Sequence, residues 1–391
     1  MANALTTLNP ELWSARTQSY IRKSGVFMAI ANMEERSKLS VGDTVHRPYT
    51  SDFQVNDYTK GTDVSIQDIS GTDEYLSVAT TKEISFYVDD IDKIQNLYNA
   101  ADIRSGQAGY RLANEMDGAF FQEVENATYD FDDGDIGGSA WSPITLSASN
   151  AVKTASLVKA MMNKASIEWD RPRDLVVDPA SASFIEQQVV ANGFNTADLT
   201  LKNGYAGDFL GFKVFVSNNL LHESVSTNTG NVSADDTYTI GWVTFTFKAS
   251  PSAAGEVDVG SDAETSFDNL TLAINGGAVG SIYIALSDAD RATLTNLKAV
   301  ASNTATVLTV KTSGNPAVAE VLANVTTATT IVKCLAERRG AIDMVIQKMP
   351  TTQINKSPLK TGYNFITYNL YGKKTFNEGA NRMVELNVTA Q

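Results

Sequence analysis

Residues that commonly perform catalysis are scarce in this 391-residue sequence. Only two histidines, His46 and His222, and one cysteine, Cys334, are present. None of them lies in a G-x-S-x-G turn or an H-E-x-x-H motif, and the chain has no Walker loop and no dinucleotide-binding glycine pattern. We therefore predict no catalytic, cofactor-binding or metal-binding residues, and we do not expect an enzyme.

Carboxylates are the remaining groups that could do chemistry. Two of the 45 acidic residues could converge as a glycosidase pair, but no spacing singles out a pair. Residues 130–138, Asp-Phe-Asp-Asp-Gly-Asp-Ile-Gly-Gly, offer the oxygen ligands that calcium prefers. Glycine falls where a ligand should be and no glutamate closes the loop, so we interpret the segment as a solvated turn. Asp178, before Pro179, is interpreted as a helix N-cap.

Composition predicts a folded protein of two or three domains, since 43% of the residues are hydrophobic. The net charge of -14 argues against nucleic acid as the partner of the whole surface, because phosphate binding needs clustered basic residues. The lone Cys334 excludes an intrachain disulfide and is interpreted as buried packing in a reducing compartment. With no signal-peptide pattern and no run of about 18 apolar residues, we expect neither secretion nor a membrane partner.

The element that organises these residues is a long helix predicted over residues 88–127. Apolar residues recur three or four positions apart along it, which forms one continuous stripe. We expect a rod of roughly 50 to 60 Å that bends or packs closely at Gly106, Gly109 and Gly118. The stripe consists of Ile91, Ile94, Tyr98, Ala101, Ala108, Leu112, Met116, Phe120 and Val124.

Two extended segments precede this helix. Residues 1–44 resemble an arm whose helix at 11–31 packs either on its own domain or on another subunit. Residues 42–88 are acidic and β-rich, with a turn predicted at 71–73 and alternating side chains from Leu76 to Val88. Few apolar residues lie at 50–71, so we expect a thin hairpin that projects from the body.

An α/β unit is predicted after the helix. It comprises a helix at 149–167, a strand at 174–178, a helix from Pro179 and a strand at 211–217. Residues 224–236 have the composition of a linker. They precede a small α/β insertion with strands at 239–248, 281–285 and 305–311 and helices at 266–274 and 287–300, the second capped by Ser287. The basic tail, 348–391, is predicted to hold strands at 365–371 and 383–388 around a turn at 377–379.

The order of these parts resembles the major capsid protein of tailed bacteriophages, with the Hong Kong 97-type fold. Several strings are similar to that family, although the order of the parts contributes more than any one string. They are Val41-Gly-Asp-Thr-Val45, Ser85-Phe-Tyr-Val-Asp-Asp90, Gly211-Phe-Lys-Val-Phe-Val-Ser-Asn-Asn219, Tyr371-Gly-Lys-Lys374 and Arg382-Met-Val384.

The resemblance implies an α+β fold with an N-arm, an extended β-hairpin loop, a spine helix, peripheral and axial domains, and an insertion in the axial domain. The implied boundaries are 1–44 for the N-arm, 45–82 for the extended loop, 83–145 and 341–391 for the peripheral domain, 146–223 and 334–340 for the axial domain, and 224–333 for the insertion. A Lys-to-Asn cross-link occurs in some members; here Lys60 is the only lysine near the loop tip, and no asparagine stands out as its partner.

The implied function is a subunit that self-assembles into hexamers and pentamers of an icosahedral head around double-stranded DNA. The implied partners are other copies, scaffolding and portal proteins, and DNA enclosed without sequence-specific binding, in virions assembled in the host bacterial cytoplasm. Alternatives are another virion or surface protein, such as a tail tube or adhesin, and a carboxylate-dependent glycan hydrolase.

Three groups of charged or aromatic residues are predicted to contact other subunits, because the acidic hairpin of one copy could lie over the basic tail of the next. The extended-loop group is Asp52, Asp57, Asp63, Asp68, Asp73 and Glu74. The N-arm group is Trp13, Arg16, Arg22 and Lys23. The group on the peripheral sheet is Lys356, Lys360, Lys373, Lys374 and Arg382.

Overall fold

The computed structural model describes residues 25–34, 43–50, 52–64, 66–69, 71–91, 100–168, 170–191, 208–277, 280–314, 316, 318–358 and 360–390. The arm helix predicted at 11–31 lies mostly outside these residues, and its described end is wrong: Gly25 and Val26 are not helical, and only Phe27–Ile30 form a short helix, which packs in the main core of its own chain. Within them, the helices are α1 Phe27–Ile30, α2 Ala100–Phe121, α3 Ala151–Lys164, α4 Pro179–Ala191, α5 Ala263–Asn275, α6 Asp288–Asn296 and α7 Asn377–Ala380, with short 3-10 helices at Gln122–Asn126 and Asp133–Ile136.

The strands form four sheets whose alternating side chains build the cores. They are β1 Thr44–Thr50, β2 Gly71–Ser77, β3 Thr80–Asp89, β4 Tyr129–Phe131, β5 Arg173–Val177, β6 Asp208–Phe209, β7 Phe212–Val216, β8 Leu221–Asn228, β9 Thr237–Ile240, β10 Val243–Lys248, β11 Glu256–Asp258, β12 Val300–Thr304, β13 Val307–Ser313, β14 Val318–Val321, β15 Val325–Arg338, β16 Asp343–Lys356, β17 Gly362–Lys374 and β18 Met383–Thr389.

The largest sheet has the order β12-β13-β8-β15-β5-β7-β6, with β18 paired to β15 and β4 paired to β18. The long strand β15 joins its two halves, because it pairs first with β8 and then with β5 and β18. The strand of five buried residues, β5, runs parallel to β7 and is followed by α4. These elements confirm the predicted α/β unit, with α3 ending three residues before the expected Ile167.

A second hydrophobic core lies within the predicted insertion. The sheet β11-β10-β9-β14 packs with α5, and Phe245, Phe267 and Leu270 are fully buried there. The helix expected at 266–274 is confirmed as α5. The single strand expected at 239–248 is wrong: Gly241, at φ +62, and Trp242 turn the chain and divide it into the hairpin β9–β10. Residues 281–285 form only an isolated bridge, between Tyr283 and Val257.

The linker predicted at 224–236 is wrong over its first part. Residues up to Asn228 belong to β8, which lies between β13 and β15 in the large sheet. The serine and asparagine side chains at 224, 226 and 228 all point to one buried face, so the polar composition hides a strand. β8 and β15 therefore connect the insertion to the body directly.

The spine helix is confirmed over α2, which has 22 residues and a length of roughly 33 Å. Its predicted start is wrong, since residues 88 and 89 extend β3 and pair with β17. Ile91 is exposed, and Ile94 and Tyr98 lie outside the described residues. The rest of the stripe that can be assessed is buried: Ala108, Leu112, Met116, Phe120 and Val124.

The sheet β16-β17-β3 packs along α2. Glu115 of the helix accepts a hydrogen bond from the Tyr371 hydroxyl at 3.4 Å and pairs with Lys82 at 3.8 Å. Lys373 Nζ donates to the Ala119 carbonyl at 2.6 Å. Both strands predicted in the tail exist, but they do not pair with each other: β17 lies in this sheet and β18 in the large one, with α7 at the expected turn.

No helix among the residues assigned here combines the length and apolarity needed to cross a membrane.

Candidate interaction surface

The segment that leaves the body is the hairpin β1–β2. Seven antiparallel pairs, from Thr44–Ser77 to Thr50–Gly71, join its strands. The turn predicted at 71–73 is therefore wrong, because these residues are the first part of β2. The chain reverses instead between Thr50 and Gly71, which makes the projecting loop longer than the sequence pattern indicated.

The body holds the hairpin at its base. Leu76 and Val78 are buried against Val345 and Phe376 in a small separate core. Alternation continues through β3, whose residues 80, 82, 84, 86 and 88 are partly buried on one face, as predicted. The backbone N–H of Asn377 donates to Glu74 at 3.1 Å, which adds a polar tie beside this core. A hairpin of two seven-residue strands is marginally stable on its own, so this attachment is what keeps it folded.

The loop at residues 52–69 carries large apolar side chains that the described part of the chain leaves uncovered. The hydrogen bonds assigned to it stay within the loop; Gln54 and Gln67, for example, bond across it at 2.9 and 2.5 Å. An exposed apolar patch of this kind marks a surface for protein contact. The exposed side chains are Phe53 at 65%, Val55 at 101%, Tyr58 at 66%, Val64 at 73%, Ile66 at 90% and Ile69 at 71%.

The expectation of few apolar residues at 50–71 is wrong, because six large ones lie between Phe53 and Ile69. A signal was present: Phe53 and Val55, like Val64 and Ile66, alternate as in a strand, yet neither pair lies in a strand here. Apolar alternation without a sheet to cover it was the observation that could have identified the surface.

The predicted acidic contacts divide into two sets. Asp57, Asp63 and Asp68 are exposed, and within the described ranges none has a hydrogen-bond or ion-pair partner. The others bond within the chain: Asp52 accepts from the Phe53 N–H at 2.8 Å, Asp73 lies 2.8 Å from His46, and Glu74 is tied to Asn377.

The predicted basic contacts are also of two kinds. Lys356 and Lys360 are exposed. Lys373 pairs with Glu123 at 3.2 Å beside the spine helix, Lys374 lies over the Tyr75 and Phe376 rings, and Arg382 pairs with Glu168 at 2.8 Å. Of these five basic residues, only Lys356 and Lys360 are exposed, and Lys360 Nζ lies 5.5 Å from the centroid of the Tyr87 ring. The N-arm residues Trp13, Arg16, Arg22 and Lys23 lie outside the described residues.

The carboxylates considered as metal ligands or catalytic groups accept hydrogen bonds from nearby backbone N–H groups. Asp132 accepts from the N–H groups of Gly134 at 2.7 Å and Trp141 at 2.5 Å, and caps the short 3-10 helix. Asp178 accepts from Ala180 and Ser181 at 3.1 and 3.3 Å, which confirms the N-cap. Across the ranges given above, no cluster of three His, Cys, Asp or Glu side chains is arranged for a metal.

Two further groups with restricted exposure, Lys333 and Glu337, lie on β15 of the large sheet. Lys333 pairs with Glu385 at 2.8 Å, Glu223 at 3.1 Å and Glu125 at 3.3 Å; burial opposes its charge, but these carboxylates raise its pKa overall. Burial, together with the nearby Asp174, raises the pKa of Glu337, whose two oxygens have no hydrogen-bond partner among the assigned residues. Such groups affect stability and do not form an open site.

Comparisons with known proteins identify structures that share this fold. No protein-family model and no curated protein matches the sequence. Solved structures do: a chain from Mycobacterium phage Che8 is 17% identical, with a TM-score of 0.59 and 96% of each chain covered. The capsid of cyanophage P-SCSP1u gives 11% identity and a TM-score of 0.56, covering 100% of this chain and 96% of that one.

The mature capsid of bacteriophage PhiM1 gives 11% identity and a TM-score of 0.52, covering 98% of this chain and 93% of that one. Each likeness extends over nearly the full length of both chains. The identities are low, and what the likeness shows is the fold. The chain therefore has the Hong Kong 97-type fold of tailed-phage major capsid proteins, as the sequence resemblance predicted.

Proposed function

We propose that the protein is the major capsid subunit of a tailed phage, which self-assembles into hexamers and pentamers of an icosahedral head around a double-stranded DNA genome. The main support for the proposal is a hairpin loop with six large, exposed apolar side chains. This loop belongs to a chain whose fold matches phage capsid structures over nearly its whole length. A second copy of the chain is the partner that this fold provides. The role is structural and not enzymatic.

The apolar side chains of the loop in one copy are buried against the surface of the neighbouring copy. Burying a large apolar side chain contributes roughly 1.5 to 3 kcal/mol. Rim ion pairs between the loop acids Asp57, Asp63 and Asp68 and exposed lysines such as Lys356 and Lys360 contribute about 0 to 1 kcal/mol each and set the register. Because the two surfaces differ, the contact is heterologous, and repetition around a rotation axis closes a ring.

The domain division follows the same proposal. Residues 1–44 are the N-arm, 45–82 the extended loop, and 83–145 with 341–391 the peripheral domain. Residues 146–223 and 334–340 are the axial domain, and 224–333 the insertion. Two separate hydrophobic cores support treating the insertion as a unit of its own.

The proposed partners beyond other copies are a scaffolding protein, a portal protein and the packaged DNA. A chain with a net charge of -14 encloses DNA without holding its phosphates tightly. The particle assembles in the host bacterial cytoplasm and remains in the virion.

Sedimentation and negative-stain microscopy of the purified protein, alone and with the candidate scaffold, test the proposal. We expect closed shells of uniform diameter. Small discrete oligomers under every assembly condition would contradict a shell-forming role.

A further inference from the structure

One buried carboxylate joins the hairpin to residues 26–32, called here the N-terminal segment, which contains α1. Asp343, the first residue of β16, is 3% exposed. Its Oδ1 accepts from Asn32 Nδ2 at 2.8 Å and from Arg47 Nη2 at 3.1 Å, while its Oδ2 accepts from Arg47 Nη1 at 3.1 Å. A bidentate guanidinium pair of this kind fixes both the distance and the plane of its partners.

Arg47 transmits this geometry to the hairpin. It lies on β1, opposite Glu74 of β2, so its position sets that of both strands. Its guanidinium also lies 4.5 Å from the centroid of the Phe376 ring, which is itself buried against Leu76 and Val78. The charge is therefore held between a carboxylate and an aromatic face, and the hairpin has little freedom to rotate about its base.

Asn32 connects Asp343 to the N-terminal segment through both its side chain and its backbone. Its backbone forms a parallel bridge with Asp343, since Asn32 N donates to the Ile342 carbonyl at 2.9 Å and Met344 N donates to the Asn32 carbonyl at 3.0 Å. At the other end of the segment, Asp117 of the spine helix accepts from the N–H groups of Val26 and Phe27 at 2.7 and 2.9 Å. The segment is thus held at both ends.

We propose that Asp343 is a positioning residue that sets the directions of the hairpin and the N-terminal segment as one unit. By the proposed domain division the two segments lie within the extended loop and the N-arm, the parts proposed to reach other copies, so the inference deepens the proposed function and rests on it. A change in the angle of either segment is passed to the other through the shared carboxylate. Subunits in unlike positions of a shell would then adjust both arms together.

The fold can survive loss of this carboxylate. The hairpin keeps its backbone pairs and its apolar base, and the N-terminal segment keeps Asp117. Asp343→Asn removes the charge with little change of shape and leaves the guanidinium without its bidentate partner. It should therefore loosen both segments without unfolding the subunit.

Amide hydrogen exchange on the soluble subunit tests the inference. In Asp343→Asn we expect exchange to rise by about tenfold or more both at 44–50 with 71–77 and at 26–32, because charged hydrogen bonds in both segments are weakened. Arg47→Lys, which keeps the charge but loses the bidentate geometry and the stacking, should produce the hairpin effect and a smaller effect at 26–32. The control is Asp235→Asn, which removes an exposed carboxylate paired with Lys248 in the insertion and should alter neither segment.

A rise confined to the hairpin, or no rise in either segment, would overturn the coupling. Because exchange is measured before assembly, this result does not depend on whether shells form. Particles assembled from Asp343→Asn give a separate readout, for which we expect a broader diameter distribution than for the wild type. If the wild type forms no shells, the proposed function fails while the exchange result still decides the coupling.

Discussion

At the scale of single residues, close packing against the spine helix decides which glycines matter. A Cβ at Gly118 would collide with the Ser313 side chain and meet Lys298 at 3.4 Å, whereas a Cβ at Gly106 has nothing within 4 Å. Gly118 therefore lets the strand β13 approach the helix, and its side-chain-free surface is a requirement of the fold. Of the bend or close packing predicted at Gly106, Gly109 and Gly118, close packing is confirmed at Gly118, while no described atom lies within 4 Å of a Cβ at Gly106 or Gly109.

Substitutions at these two glycines should have opposite effects. We expect Gly118→Ala to lower the free energy of unfolding by about 1 to 3 kcal/mol, since Ser313 is buried and must move. Gly106→Ala should raise it by about 0.5 to 1 kcal/mol through better helix propensity. Urea unfolding of both variants checks this; equal effects would show that the contact at Gly118 is easily relieved.

A buried acid should make stability depend on pH. The pKa of Glu337 is raised well above 4.5 by burial, so the folded chain keeps this proton to a higher pH than the unfolded chain does. The stability from this group is present below the unfolded value and decreases as pH rises toward the folded pKa. Glu337→Gln should remove that decrease, so the free energy of unfolding of this variant should fall less than that of the wild type as pH rises above about 5.

Urea titrations across this pH range measure the effect, with Glu83→Gln, at an exposed position on β3, as the control. The wild type and the control should lose stability in parallel, and the Glu337→Gln curve should be flatter. Parallel curves for all three proteins would mean that Glu337 is ionised in the folded state.

At the scale of elements, substitutions in the hairpin loop should change assembly between copies without changing the stability of the single chain. Replacing Phe53, Val55 and Ile66 together with serine should leave the free energy of unfolding within about 0.5 kcal/mol, because these side chains are exposed in the single chain. The same variant should need at least about a tenfold higher protein concentration to assemble, since it loses apolar contacts with the next copy.

Light scattering during assembly and urea unfolding of the subunit measure the two effects. Trp242→Ser, which alters an apolar side chain 92% exposed in the insertion, is the matched control and should change neither. Assembly of the triple variant at the wild-type concentration would show that the loop is not a contact.

The sequence predicts well those elements that bury one face against a single neighbouring element, because their apolar residues then recur at regular spacing. The stripe from Ala108 to Val124 marks the buried face of the spine helix, and the strands β5 and β7 follow from short apolar runs. Asp178 and Ser287 cap helices as their positions before the helix starts predict. Local rules suffice at these positions.

Prediction fails where pairing with a strand distant in sequence determines the secondary structure. β8 carries polar side chains on a buried face, so its composition reads as a linker until β13 and β15 pair with it. Residues 71–73 contain turn-forming types, yet pairing with β1 makes them a strand. The surface on the loop was missed for a related reason, because only the absence of a covering sheet shows that Val55 and Ile66 are exposed.

At the scale of the whole molecule, two hydrophobic cores and a long sheet make the body self-sufficient, while the hairpin loop is not. On the proposed function, another copy of the chain covers the six large apolar side chains that the loop leaves exposed. The net charge of -14 would keep free copies apart until these surfaces meet. The stability of the single chain and the affinity between copies would then reside in different parts of the sequence.

The most direct measurement is a cryo-electron microscopy map of particles assembled from the purified protein at a resolution that places side chains. We predict that residues 52–69 of each copy lie on the neighbouring copy, with Phe53, Val55 and Ile66 buried in that contact. A map in which these side chains face solvent in every copy, or preparations that never form closed particles, would contradict an assembly role for the hairpin.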